Sequence, residues 1–168
     1  MIMKRSRTRA FSLVELVIVV VIIGVIAAIA VPRISRGARG AGDAALRGSL
    51  AGLRNSVDMY AAEHGGSFPA DQVGDTSTTL VDQLTKKTDG NGVVGTTAGT
   101  HIYGPYLRSG FPPLPVCAAK GKTTVKLVSV TPVYQATSEG WVYDRVSGAV
   151  MANCDAEEDE KTVAYNTY

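Results

Sequence analysis

The sequence predicts an α+β fold: one long N-terminal helix, membrane-spanning in its first half and amphipathic in its second, packed on a small antiparallel sheet. Three observations predict it. Residues 11–31 are apolar except for Ser12, Glu15 and Gly24; as a helix they reach roughly 30 Å, the thickness of a bilayer's hydrocarbon core. Leu46, Leu50, Leu53, Val57 and Tyr60 then recur in steps of four and three, with Arg47, Arg54, Asp58 and Glu63 off that line, which is one buried helical stripe. Strand signals cluster late in the chain, and a helix first with a sheet last is an α+β order.

Glu15 is the informative residue of the apolar run. An ionisable side chain inside a membrane segment costs about 2.5–3.5 kcal/mol when central, and less toward an edge, where Glu15 lies. No side chain of the segment offers it a counter-charge. A cut between Ala10 and Phe11 would place a free α-amino group one helical turn away, and the same amine on a neighbouring copy would neutralise the carboxylate. The plainer reading is an interfacial glutamate that snorkels to water and has no role.

The stretch Arg9-Ala10-Phe11-Ser12-Leu13-Val14-Glu15-Leu16, preceded by Lys4, Arg5 and Arg7 and followed by the apolar run, resembles the N-terminus of type IV pilins and type II secretion pseudopilins. The likeness covers roughly residues 5–32. It implies that a prepilin peptidase cuts after Ala10 and methylates Phe11, and that Glu15 is the assembly carboxylate. The usual residue before the cut is Gly; this chain has Ala10. Family members also carry a Gly and a Pro at the places of Gly24 and Pro32, where the helix loosens as filaments pack. On physical grounds alone the two residues mark a spot where a helix kinks or opens at the membrane exit.

A chain of 168 residues accommodates one compact domain and an anchor. The expected division is a cytoplasmic leader, 1–10, a membrane or filament-core helix, 11–32, and an amphipathic helix half with its exported head, 33–168. The formal charge is +2, and without the four leader cations it falls to about −2, so no nucleic-acid partner is expected. Arg33, Arg36 and Arg39 follow the apolar run, which leaves the positive-inside rule close to balanced. The leader and the resemblance together imply a cytoplasmic N-terminus and a periplasmic head. A secretory signal peptide is the rival reading, because Ala28-Ile29-Ala30 fits its cleavage pattern. Against it, the apolar run is long for such a signal and Glu15 has no use there.

Along the rest of the chain, a helix is expected over 12–63, weakened by Gly37, Gly40, Gly42 and Gly48 at roughly 1 kcal/mol each. Those glycines also let backbones approach closely. The helix should stop at His64-Gly65-Gly66. Asp75 or Ser77 is the expected cap of a short helix over 79–86, with Leu80, Val81 and Leu84 inward. Residues 88–100, rich in Gly, Thr and Asn, read as a mobile loop. The Pro-rich run 103–115 is expected to be extended and pinned by Tyr103, Tyr106 and Phe111. It resembles the Gly-Pro-Tyr-Leu and Pro-rich connection of major pseudopilin heads; a ligand for a partner's groove is the other reading. Residues 123–130 read as a strand. Residues 140–146 and 149–153, joined at Ser147-Gly148, read as a hairpin, with Trp141 packing the sheet on the helix.

Cys117 and Cys154 both fall in the part expected to be exported, where an even count favours a disulfide. Closing that loop of roughly 40 residues would stabilise the head by about 3–4 kcal/mol. Two free thiols or a shared metal are the alternatives. Asp155, Glu157 and Glu158 belong to an acidic run whose oxygens would suit calcium, and the resemblance implies a calcium ion in the head loops of major pseudopilins. The run has no alternating-ligand spacing, so a solvated acidic tail is the expectation and no cofactor is assigned. His64 and His101 are expected at the surface. No nucleophile, base or phosphate-loop pattern marks an enzyme.

These readings converge on a structural subunit of a type II secretion pseudopilus. Its partners would be identical subunits and minor pseudopilins, the prepilin peptidase, an inner-membrane assembly platform and membrane lipid. The alternatives are a type IV pilin or minor pilin acting in adhesion, motility or DNA uptake and, from another class, a membrane-anchored or secreted binding domain.

Overall fold

A computed structural model describes residues 11–136, 138–155, 159 and 162–168, the side chains of Ser35 and Arg36 aside. It contains helix α1 (Leu13–Glu63), helix α2 (Ser77–Thr85), strands β1 (Val125–Val128), β2 (Trp141–Asp144) and β3 (Val150–Ala152), and a closing 3-10 turn, Tyr165–Thr167. Long helix first and three-stranded sheet last is the expected α+β arrangement. The chain divides into two units, Met1–Ala38 and Arg39–Tyr168.

In the first unit the large apolar side chains of residues 11–31 are all uncovered, from 49 % exposed at Val19 to 82 % at Phe11. By length and composition this helix can cross a membrane. The helix runs unbroken through Pro32, as the expected helix over 12–63 does. Proline removes one backbone donor, and the flanking turns keep their own bonds.

In the second unit the expected stripe is the core. Leu46, Leu50, Leu53, Val57 and Tyr60 are at most 2 % exposed and pack with Leu80, Leu84, Phe111, Leu114, Trp141 and Tyr143. Side chains four and three residues apart share one face of a helix, which is why about four turns of sequence produce one buried seam. The helix stops where the glycines predict. Gly65 takes a left-handed φ of 67°, and the Gly66 amide donates to Ala61 O at 2.8 Å, capturing a carbonyl that the helix end leaves without a partner.

Three local expectations need correction. The cap of α2 is Thr76, neither Asp75 nor Ser77. Its hydroxyl accepts from the Thr79 amide while the Thr79 hydroxyl accepts from the Thr76 amide, both at 3.3 Å, a reciprocal capping box. Residues 88–100 are tied down: Thr88 is fully buried and bridges both Val94 and Tyr103. Asp89 Oδ1 accepts from the amides of Asn91 and Val93, each at 2.9 Å. These bonds hold the Asp89 carboxyl below the usual range, the Val93 amide contributing most.

The third correction concerns the sheet, which is mixed. β2 and β3 pair antiparallel as the expected hairpin, Trp141 opposite Ala152 and Tyr143 opposite Val150. β1 pairs parallel to β2, Val125 opposite Trp141 and Val128 opposite Asp144. Residues 129–140 separate the two strands, enough for the crossover of about a dozen residues that a parallel pair needs. The hairpin turn leaves Gly148 at a φ of 71°, and a Cβ there would lie 2.5 Å from the Phe68 ring. Glycine is required on both counts.

Trp141 is fully buried, and its indole Nε1 donates to Pro112 O at 2.8 Å. The Pro-rich run is therefore fastened to the sheet by a tryptophan of the same buried cluster as the helix stripe. Phe111 is buried and Tyr106 is packed against the same core, and the amides of Tyr106 and Leu107 donate to Leu84 O at 2.9 and 2.8 Å.

Candidate functional site

The start of α1 carries the residues that sequence reasoning marks for processing and assembly. Ala10 lies outside the described residues. Phe11 and Ser12 precede the helix, and Leu13 is its first residue. Ser12 thus sits at the cap and Glu15 at the third helical position. The Ser12 amide donates to Glu15 Oε2 at 3.0 Å, and the Leu16 amide donates to Ser12 O at 3.2 Å, closing the first turn. A carboxylate in this place also meets the positive end of the helix dipole.

Glu15 therefore has a partner in its own segment, a backbone amide rather than a side chain. The signal was present in the sequence: Ser12-x-x-Glu15 ahead of an apolar run is the pattern of a capping box. Of the residues expected to loosen the helix, Gly24 faces open space, since a Cβ built there meets nothing within 4 Å. Pro32 is exposed on the same helix.

In the head, Cys117 and Cys154 form a disulfide with Cα atoms 5.7 Å apart. It joins the end of the Pro-rich run to the residues after β3. Asp155 is exposed, and Glu157 and Glu158 lie outside the described residues. Among the described residues no group of three or more His, Cys, Asp or Glu side chains is placed to hold a metal.

Asp159 is not the solvated residue that an acidic tail implies. It is buried and accepts from Arg47 Nη2 at 2.9 Å, and it also accepts from the Tyr168 hydroxyl. Arg47 in turn donates to the Tyr168 hydroxyl at 2.7 Å and lies 4.8 Å from the centre of its ring. One turn earlier, the Tyr165 hydroxyl donates to buried Asp43 at 2.6 Å. Burial, and then this bond to a carboxylate, push the Tyr165 hydroxyl well above the usual tyrosine range. The end of the described chain is in this way fastened to the first turns of the head's helix. Tyr165 and Tyr168, three residues apart, were the only signal of it.

His64 is also misplaced by the surface expectation, being 6 % exposed. It stacks on Tyr60 with ring centres 3.8 Å apart. Nδ1 lies 2.8 Å from Tyr60 O; a carbonyl only accepts, so Nδ1 donates, and Nε2 lies 3.0 Å from the Thr88 hydroxyl. The step from Tyr60 to His64 extends the buried stripe by four residues, which sequence periodicity already contained. His101 is half-buried, and its Nδ1 accepts from the Thr97 amide at 3.2 Å. Both histidines are engaged in local structure, and the hydroxyl that His64 meets belongs to Thr88, itself fully buried.

Residues 5–31 match the model of the prokaryotic N-terminal methylation motif, leaving 32–168 outside the match. The comparisons with curated proteins and with solved structures gave no match. The matched motif is that of pilin-type and pseudopilin-type structural subunits, not of an enzyme family.

Proposed function

We propose that the chain is the structural subunit of a type II secretion pseudopilus, anchored in the inner membrane by residues 11–32 with its head in the periplasm. A prepilin peptidase removes residues 1–10 and methylates Phe11. The subunit waits in lipid until an inner-membrane platform packs it with identical copies and minor pseudopilins. The observation that carries this reading is the methylation motif over residues 5–31, continuous with a helix whose apolar side chains are all uncovered. Apolar surface on that scale is covered either by lipid or by other helices.

Within the filament, Glu15 pairs with the Phe11 amine of a neighbour. A single ion pair in an apolar seam is a register device, since a shift along the seam leaves both charges without a partner. Gly24 and Pro32 allow the helix to adjust as copies pack. The hairpin-ended head and the wide spacing of Cys117 and Cys154 favour a pseudopilus over an adhesive pilus. Glu15→Ala is expected to insert in the membrane at the parental level and to be lost from sheared filaments. Incorporation of that variant at the parental level would remove the role assigned to Glu15.

A further inference from the structure

We propose that residues 162–168, with Asp159 as their buckle, form a strap that opens and closes on α1 while the rest of the head stays folded.

The two oxygens of the buckle have separate tasks. Asp159 Oδ1 accepts from the Val163 amide at 2.9 Å. The Asp159 amide donates to Val163 O at 2.9 Å, and the Thr162 amide donates to Asp159 O at 3.1 Å, so one residue closes the loop from which the strap starts. Oδ2 accepts from Arg47 Nη2 at 2.9 Å and from the Tyr168 hydroxyl. The same carboxylate therefore shapes the strap and clasps it to the helix. Its side chain is 1 % exposed against 50 % for Arg47, and a carboxylate so deeply placed depends on the cation beside it.

The holds on the helix side are side chains in a row. Asp43 accepts from the Tyr165 hydroxyl at 2.6 Å, and Arg47 donates to the Tyr168 hydroxyl at 2.7 Å. Arg54 donates to Tyr168 O, and to Val150 O of β3 at 3.2 Å. With 3.6 residues per turn, positions 43, 47 and 54 fall within about 40° of one another around the helix. The strap thus runs along one line of α1.

Against these holds stands Thr162, at a left-handed φ of 61°. A β-branched residue is an outlier there, and such a conformation persists only where its surroundings impose it. The loop bonds of Asp159 impose it here. Strain at the root of the strap favours opening, and side-chain bonds along it favour closing. Tyr165 is the only buried residue of 162–168, and few buried contacts are the mark of a segment that opens by itself. Opening bares Asp43, Arg47 and Arg54 together, so the charges that α1 presents change without unfolding of the sheet.

The test is hydrogen exchange by NMR of the full chain in zwitterionic micelles, read as protection factors. The Val163 amide reports the strap. The Trp141 amide, which donates to Thr124 O at 3.1 Å, reports the head as a whole. In the parent, Val163 should be the less protected of the two and should not respond to urea below the unfolding transition, because opening exposes little surface. Arg47→Ala leaves the Val163 bond to Asp159 in place and should lower Val163 protection about fivefold. Thr162→Gly relieves the strain and should raise it about fivefold. The proposal is overturned if Val163 protection falls with urea in step with Trp141, if it is the same in Arg47→Ala as in the parent, or if it fails to rise in Thr162→Gly. No filament is in the sample, so either result leaves the function proposed above to its own test.

Discussion

Residues 13–31 and 46–60 belong to one helix and are treated oppositely by the rest of the chain. In the second stretch every apolar side chain of the stripe is at most 2 % exposed; in the first, every large one is at least 49 % exposed. Helical periodicity accounts for the second stretch, which alternates apolar and charged faces. The first is apolar all round, the composition of a helix surrounded on every side. The chain supplies no such surroundings among its described residues. The difference teaches that the head is complete within one chain and the apolar half is built for contacts outside it.

The strongest way to break this comparison is to remove a side chain from each half. Trp141→Ala should destabilise the head by about 3–5 kcal/mol, since the indole is fully buried and holds Pro112 O. Ile22→Ala should change head stability by less than about 0.5 kcal/mol, as expected of an uncovered residue. Denaturant unfolding of the full chain in detergent, followed by the fluorescence or near-UV signal of the head, checks both. Equal effects would mean that the two halves are not independent.

Reduction of the Cys117–Cys154 bond comes next. It closes a loop with a sequence separation of 37, so reduced protein should unfold with about 3–4 kcal/mol less stability in the chain-entropy account. The same unfolding assay with and without reductant reads it, and the helicity of the apolar half should be unchanged.

The smallest effect is with alkali. Burial, assisted by the nearby Asp71, Asp75 and Asp89, pushes Tyr60 up to about 12, and burial also raises Tyr106, Tyr143 and Tyr165. An unfolded tyrosine ionises near 10, so above that pH the unfolded chain sheds protons that the folded head retains. The contribution of Tyr60 is complete below about pH 10 and is lost as pH rises through about 12. No tyrosine precedes Tyr60 in the sequence, so the loss should fall on the head alone. Tyrosinate absorbance together with head unfolding against pH would show it.

Much of this architecture is legible in the sequence because it depends on neighbours along the chain. The stripe from Leu46 to Tyr60, the stop at Gly65-Gly66 and the turn at Ser147-Gly148 are all local patterns. What was not legible depends on residues far apart. Strand β1 has four residues, and alternation within them says nothing about whether the partner runs parallel. Asp159 reads as one more acid in a charged run until Arg47, more than a hundred residues away, is placed beside it. His64 reads as a surface residue next to glycines because its partner Thr88 belongs to a segment whose composition suggests a loose loop. At the candidate site the positions of Phe11 and Glu15 were legible from the motif. The bond from the Ser12 amide was legible too, had the capping pattern been weighed beside the membrane pattern.

The most direct test of the account is the mass of the mature N-terminus in protein purified from its native membrane. The account predicts a chain that begins at methylated Phe11. A chain beginning at Val31, or one that retains Met1 through Ala10, would contradict it.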